Sequence, residues 1–192
     1  MDVMEAINNR RSIRRFRGDK LSNDVIRTIL EAGIKAPSGK NKQPWEFVVV
    51  TGDKRIEMMQ AMRGGIQAFK SQYGNVGSAE HSANIMEKAP ATIFIFNPYG
   101  AYPGQEKTVD QQITETVDVQ SVGAAIQNMI LTAANLGIGS LWICDVFFAY
   151  EELCKWLKKD CQMVAALALG YPDESPSMRQ RKNIDEVTEW IS

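Results

Sequence analysis

The residues best suited to chemistry lie near the two ends of the chain. Arg10, Arg11, Arg14, Arg15 and Arg17 place five guanidinium groups within eight residues, with Ser12 among them. A second basic cluster, Arg179, Arg181 and Lys182, follows much later. Guanidinium forks match the oxygens of a phosphate, and a serine hydroxyl donates to the same group. The formal net charge is −1, so these clusters are local features of the chain. Two readings of the first cluster stand side by side. It holds a small phosphorylated ligand, or it closes the first helix with favourable charge at its C-terminus.

A third stretch, APSGKNKQPWEF (36–47), spaces Ser38, Asn41 and Gln43 along a segment that Pro37, Gly39 and Pro44 keep out of a helix. Such a loop presents donors and acceptors to a ligand's edge, or is a turn-rich surface connection. Other chemistries lack their parts. His81 is the single histidine, which removes a His-rich metal site and leaves a Ser/His/Asp set without a base. No GxxxxGK[ST] loop is present, and no GxGxxG follows a strand. Any redox or transfer chemistry must therefore come from a bound cofactor. Cys144, Cys154 and Cys161 form no CxxC and read as reduced thiols of a cytoplasmic protein. With pI ≈ 5.9 the chain lacks the broad basic face that nucleic acid requires.

The elements that position these residues follow from periodicity. The 192 residues, 44% hydrophobic and 23% charged, predict one domain with a real core. Met1–Asp2 leads into an amphipathic pattern, so no signal peptide is expected. Asp2 caps a short helix with Val3, Met4 and Ile7 on one face, and Ser22 caps a second that ends near Gly33. Strands are predicted over 46–51, 91–96, 139–144 and 163–169. The VVV run of the first implies burial on both faces. A third helix begins at Asp53 and is interrupted at Gly64-Gly65, and short helices span 80–88 and 150–159. Residues 73–80, small and polar, read as a mobile lid candidate, and 97–112 as a loop. No charged residue occurs from Val119 to Cys144. Interior Gln and Asn, and the breaks at Gly137 and Gly139, argue against a membrane span. A helix over about 114–136, apolar on most of its faces, is expected to be central or packed on a second copy. The apolar tail residues Val187, Trp190 and Ile191 call for a docking surface. Helices on both sides of a mixed sheet are the expected arrangement.

In this order the pieces resemble the nitroreductase family of flavin enzymes. RRSIRRF resembles the family's phosphate-binding start, and APSGKNKQPW its flavin-edge loop. LGIGSLWI resembles the end of its central helix with the strand that follows, and MRQRK its late basic pair. The resemblance implies an α+β fold, a three-layer α-β-α sandwich with a mixed, mostly antiparallel sheet, in an intertwined homodimer that holds FMN at its interface. The chain is then a single domain, 1–192, whose tail from about residue 176 docks on the partner. Arg10, Arg11 and Ser12, joined by Arg179 and Arg181, would hold the FMN phosphate. Arg14 would face the pyrimidine edge, where a cation supports the reduced ring. Pro37, Ser38, Gly39, Asn41 and Gln43 would come from the second chain. Trp142, Ile143 and Cys144 would face flavin N5. The implied activity passes a hydride from NAD(P)H through FMN to a nitroaromatic, quinone or activated alkene. A flavin sensor or store, and a flavin-fragmenting or dehalogenating relative, are the alternatives. Where some members have an Asn and a Lys three apart on the ring, this chain has Ser82-Ala83-Asn84-Ile85. Asn84 is the available substitute.

Overall fold

Four runs of apolar, β-branched and aromatic residues form strands in the computed structural model, which describes residues 2–191: β1 (Glu46–Thr51), β2 (Ala91–Asn97), β3 (Gly139–Ile143) and β4 (Gln162–Gly170). Between them lie α1 (Val3–Asn9), α2 (Asn23–Gly33), α3 (Lys54–Tyr73), α4 (Ala79–Lys88), α5 (Val109–Asn135) and α6 (Tyr150–Leu157). β2 has no polar face and is buried along its whole length. Successive side chains of a strand point to opposite sides. Phe94 and Phe96 therefore enter one core, and Ala91, Ile93 and Ile95 the other. Each buried phenylalanine contributes about 1.5–3 kcal/mol. A strand apolar on both sides needs helices over both faces.

The strand order is β1-β2-β4-β3, and all three pairings are antiparallel. A parallel bridge from Ser12 to Ser140 adds the start of the chain beyond β3. On one face, Met58, Met62 and Ile66 of α3 pack with Ala83 and Met86 of α4 and Leu153 of α6. On the other, Ile26 and Ile29 of α2 pack with Val122, Ile126 and Met129 of α5. This is the α+β three-layer sandwich that the sequence predicts.

Several local expectations change. β1 is an edge strand, with Val50 buried but Val49 exposed, because only β2 pairs with it. The VVV run is thus not buried on both faces. α3 continues unbroken through Gly64-Gly65. Gly65 is there for contact rather than for a break. A Cβ at that position would lie 2.6 Å from the Ala149 Cα. α5 begins at Val109, well before residue 114. Thr108 and Gln111 form a capping box that satisfies its first free amides. Residues 73–80 are anchored by the buried side chains of Val76 and Ala79. The outer face of α5 is only partly covered, and the apolar side chains Val3, Met4 and Ile7 of α1 are exposed.

The two adjacent glycines of α3 make opposite predictions. At exposed Gly64 a Cβ meets nothing within 4 Å. Gly64→Ala should stabilise by about 0.5–1 kcal/mol through helix propensity. Gly65→Ala gains the same propensity but forces backbone apart, and overpacking costs about 1–3 kcal/mol. Urea denaturation of the two variants should move in opposite directions from the parent.

Candidate functional site

After α1 the chain does not continue as helix. Residues 12–17 run extended along the ends of β3 and β4. The Ile13 N–H donates to the Ser140 carbonyl at 2.9 Å, the Arg17 N–H to Tyr171 at 2.9 Å, and the Asp173 N–H to Arg15 at 2.9 Å. Ile13 and Phe16 turn into the core. Gly139 allows this approach, since a Cβ there would lie 2.9 Å from Ile13 Cγ2. Side chains on the other side of the extended segment are left facing outward. Glu174 fastens the arrangement. Its Oε1 accepts the Arg14 N–H at 2.5 Å and the Arg15 N–H at 3.1 Å, and its Oε2 lies 3.4 Å from Arg15 Nε.

The result is a cleft of about 270 Å³ in which the two ends of the chain meet. Arg10, Arg11, Ser12 and Arg14 form one wall, and Ser177, Arg179 and Arg181 the other. Among the described residues, five guanidinium groups line it and no carboxylate does. Arg10 shows the consequence. Burial, then the charges of Arg181 and Arg11, lower its pKa from the usual guanidinium value. The cleft is therefore crowded with positive charge and holds no built-in counterion. It suits an anion with several oxygens, such as a phosphate. Arg11 also caps α1, its Nη1 donating to the carbonyls of Asn8 at 2.6 Å and Arg10 at 2.8 Å. For this residue the helix-closing reading holds, and its side chain also lines the cleft. Arg14 Nη1 donates to the Ser12 carbonyl at 3.2 Å.

Trp142, Ile143 and Cys144 continue the strand that Ser12 bridges. Ser140 and Cys144 are four residues apart, or about 13 Å along a strand. The Trp142 side chain is partly exposed, Ile143 is buried, and Cys144 is exposed. Partial desolvation of the thiol first, and then the charge of Asp145, pushes the Cys144 pKa up. It stays protonated near neutral pH and is a poor nucleophile. Beside it, Asp145 Oδ2 accepts hydroxyls from Ser78 at 2.7 Å and Ser82 at 2.5 Å.

Pro37, Ser38, Gly39, Asn41 and Gln43 do not line the arginine cleft of their own chain. Their loop lies on α5, where Lys42 Nζ meets the buried Asp118 carboxylate at 2.5 Å and the Gly39 N–H reaches Ser121 Oγ at 3.4 Å. Lys40, Asn41 and Gln43 all hold positive φ, at 53°, 54° and 53°. Such backbone costs on the order of 1 kcal/mol or more per non-glycine residue, and it clusters at functional sites. Asn84 is committed elsewhere, accepting from Arg63 Nη2 at 3.0 Å beside the Arg63–Glu87 ion pair. It is not a free replacement for a ring-contacting side chain.

Sequence reasoning missed Glu174, Asp145 and the Lys42–Asp118 pair. Asp118 and Asp145 left one trace, as the two acids that border the charge-free run. Glu174 left none, because its role depends on chain ends meeting in space.

Fold and cleft together define an α+β sandwich with an arginine-lined mouth at the sheet's edge. The chain belongs to the Nitroreductase family, whose description matches residues 7–171. A proposed NADH dehydrogenase/NAD(P)H nitroreductase of Archaeoglobus fulgidus is 29% identical over 90% of this chain and 87% of its own. A proposed nitroreductase of Desulfovibrio desulfuricans, solved in complex with FMN, is 30% identical. The match covers 100% of this chain and 98% of that one, with a TM-score of 0.75. A BluB-like flavoprotein of Clostridium difficile 630 is similar at 26% identity and a TM-score of 0.82, over 100% of both chains.

Glu174→Ala removes two charge-assisted hydrogen bonds to backbone amides. It should destabilise the fold by about 1.5–3 kcal/mol. Denaturant melts of the variant check this, and an unchanged midpoint would contradict the fastening role.

Proposed function

We propose that the chain is an FMN-dependent NAD(P)H oxidoreductase acting on a small electron acceptor. One observation carries the reading. Arginines from both ends of the sequence converge on a cleft that, among the described residues, no carboxylate lines. The FMN phosphate is a dianion with several oxygens, and it fits that charge and those donors. Arg10, Arg11, Ser12, Arg179 and Arg181 hold it. A cleft of about 270 Å³ falls just below the usual range for whole ligand sites. It takes one end of the nucleotide and leaves the rest to lie along β3 toward Trp142, Ile143 and Cys144.

When bound, FMN supplies the redox chemistry, taking a hydride from NAD(P)H and passing it to a nitroaromatic, quinone or activated alkene. The chain's own residues bind and orient. Arg14, in the same cleft wall, places a cation where it favours a ring that gains negative charge. Cys144, with its raised pKa, presents a neutral thiol and no competing anion.

A second copy of the chain completes the site. Pro37, Ser38, Gly39, Asn41 and Gln43 lie outside their own chain's cleft in a strained, pinned loop. They are the donors and acceptors that a partner's flavin edge needs. The exposed apolar residues of α1, of the outer face of α5 and of the tail supply the dimer surface, with Val187, Trp190 and Ile191 docking on the partner. The protein works in the cytoplasm on small molecules, as one domain per copy, without nucleic acid or membrane as a partner. No described helix is long and apolar enough to cross a membrane.

Purified protein should carry FMN, be bleached by NADH or NADPH under anaerobic conditions, and recover its colour on adding a nitroaromatic. Failure to take up FMN from solution would end this reading. Arg10→Ala removes charged hydrogen bonds of about 1.5–3 kcal/mol. FMN affinity, followed by quenching of flavin fluorescence, should fall roughly 10- to 100-fold.

A further inference from the structure

One hollow of the molecule is lined by rings and acids but by no base. It lies between α3, the loop that carries Tyr102, and the 3₁₀ turn Asp145–Ala149 with the start of α6, and measures about 150 Å³. A cavity of this size admits a group about as large as benzene. On one side Phe69 meets Phe148 edge to face, with centroids 5.1 Å apart, and tilts against Tyr73 at 4.6 Å. On the other, Tyr102 meets Tyr150 edge to face at 4.8 Å, and Phe147 lies parallel to Tyr150 at 6.2 Å.

Two observations set this hollow apart from ordinary packing between helices. First, Tyr73, Tyr102 and Phe147 remain exposed, so part of each of these aromatic side chains is open to water. An open ring face carries negative quadrupole and attracts a cation. Second, Glu151 and Glu152 line the same wall, and no Lys or Arg does. Among the described residues neither glutamate forms an ion pair. Glu151 Oε1 accepts the Tyr102 hydroxyl at 3.3 Å. Burial and the Glu151 charge push the Tyr102 hydroxyl up, so it stays a neutral donor. Acids in the first turn of α6 also favour the helix dipole. That accounts for the glutamates, but not for the open rings beside them.

We propose that this hollow binds a small quaternary or methylated ammonium group, its methyls against Tyr73, Tyr102 and Phe147 and its charge toward Glu151 and Glu152. The interaction needs no flavin and stands apart from the redox reading.

The probe is choline, and the control is its neutral carbon isostere, dimethylbutanol. Each is titrated against the purified protein as isolated, with the methyl proton resonances followed by NMR. Choline should saturate, with its methyl signal moved upfield by the ring currents. The isostere should bind about tenfold more weakly or not at all. Tyr102→Leu, and separately Glu151→Gln with Glu152→Gln, should each weaken choline about 3- to 10-fold. The melting temperature and bound-flavin content should match those of the parent. No saturable shift would overturn the proposal. So would equal binding of the isostere, or choline affinity unchanged in both variants.

Discussion

The hydrogen bonds that lay residues 12–17 along the ends of β3 and β4 are the constraint on which the site depends. They are few, and mostly between backbone atoms: Ile13 to Ser140, Arg17 to Tyr171 and Asp173 to Arg15. Glu174 adds a carboxylate that spans two neighbouring amides. Together they stop the early arginines from following α1 into solvent and bring them alongside the late ones. Ile13 and Phe16 supply the apolar side of the same seam. A segment buried on one side and cationic on the other can form only at the edge of the sheet, where both surroundings are available.

From that seam the electrostatics follow. Like charges at close range in a partly buried cleft repel, and the native state carries that cost until an anion enters. The structure offers no internal acid to the cleft, although the chain holds slightly more acids than bases. Glu174 turns toward the backbone and Arg15, not into the opening. The acids are thus placed to assemble the site without neutralising it. In such an arrangement, affinity for an entering anion and loss of stability without one have the same electrostatic origin.

Much of this was legible in the sequence, and the reasons are physical. The α2 cap at Ser22, the strand at 46–51 and the apolar runs of β2 and β4 depend on neighbours within a few residues. Periodicity and capping report such short-range chemistry directly. Most of the cleft arginines were legible as a dense cluster, although Arg15 and Arg17 of that cluster turn instead to Glu174 and to Asp19 and Tyr171. What could not be read was any property set by long-range contact. Gly64-Gly65 looked like a break until Ala149 supplied a reason for the second glycine. The VVV run looked buried on both sides because edge position is a matter of topology. Asn84 looked available until Arg63, one helix away, claimed it. The start of α5 is a different case, since the Thr108–Gln111 capping box was present in the sequence and was outweighed by the apolar pattern further on.

The loop over 40–43 carries a consequence for evolutionary and engineered change. Lys40, Asn41 and Gln43 sit in the left-handed region without being glycine, so glycine at any of them would relax the folded backbone. The same replacement would widen the set of shapes open to the unfolded chain. The two effects oppose each other, so such a change leaves overall stability nearly flat while loosening the loop's hold on its shape. A segment under that balance is free to drift in identity at little thermodynamic penalty, and what limits the drift is the ordered form it must present.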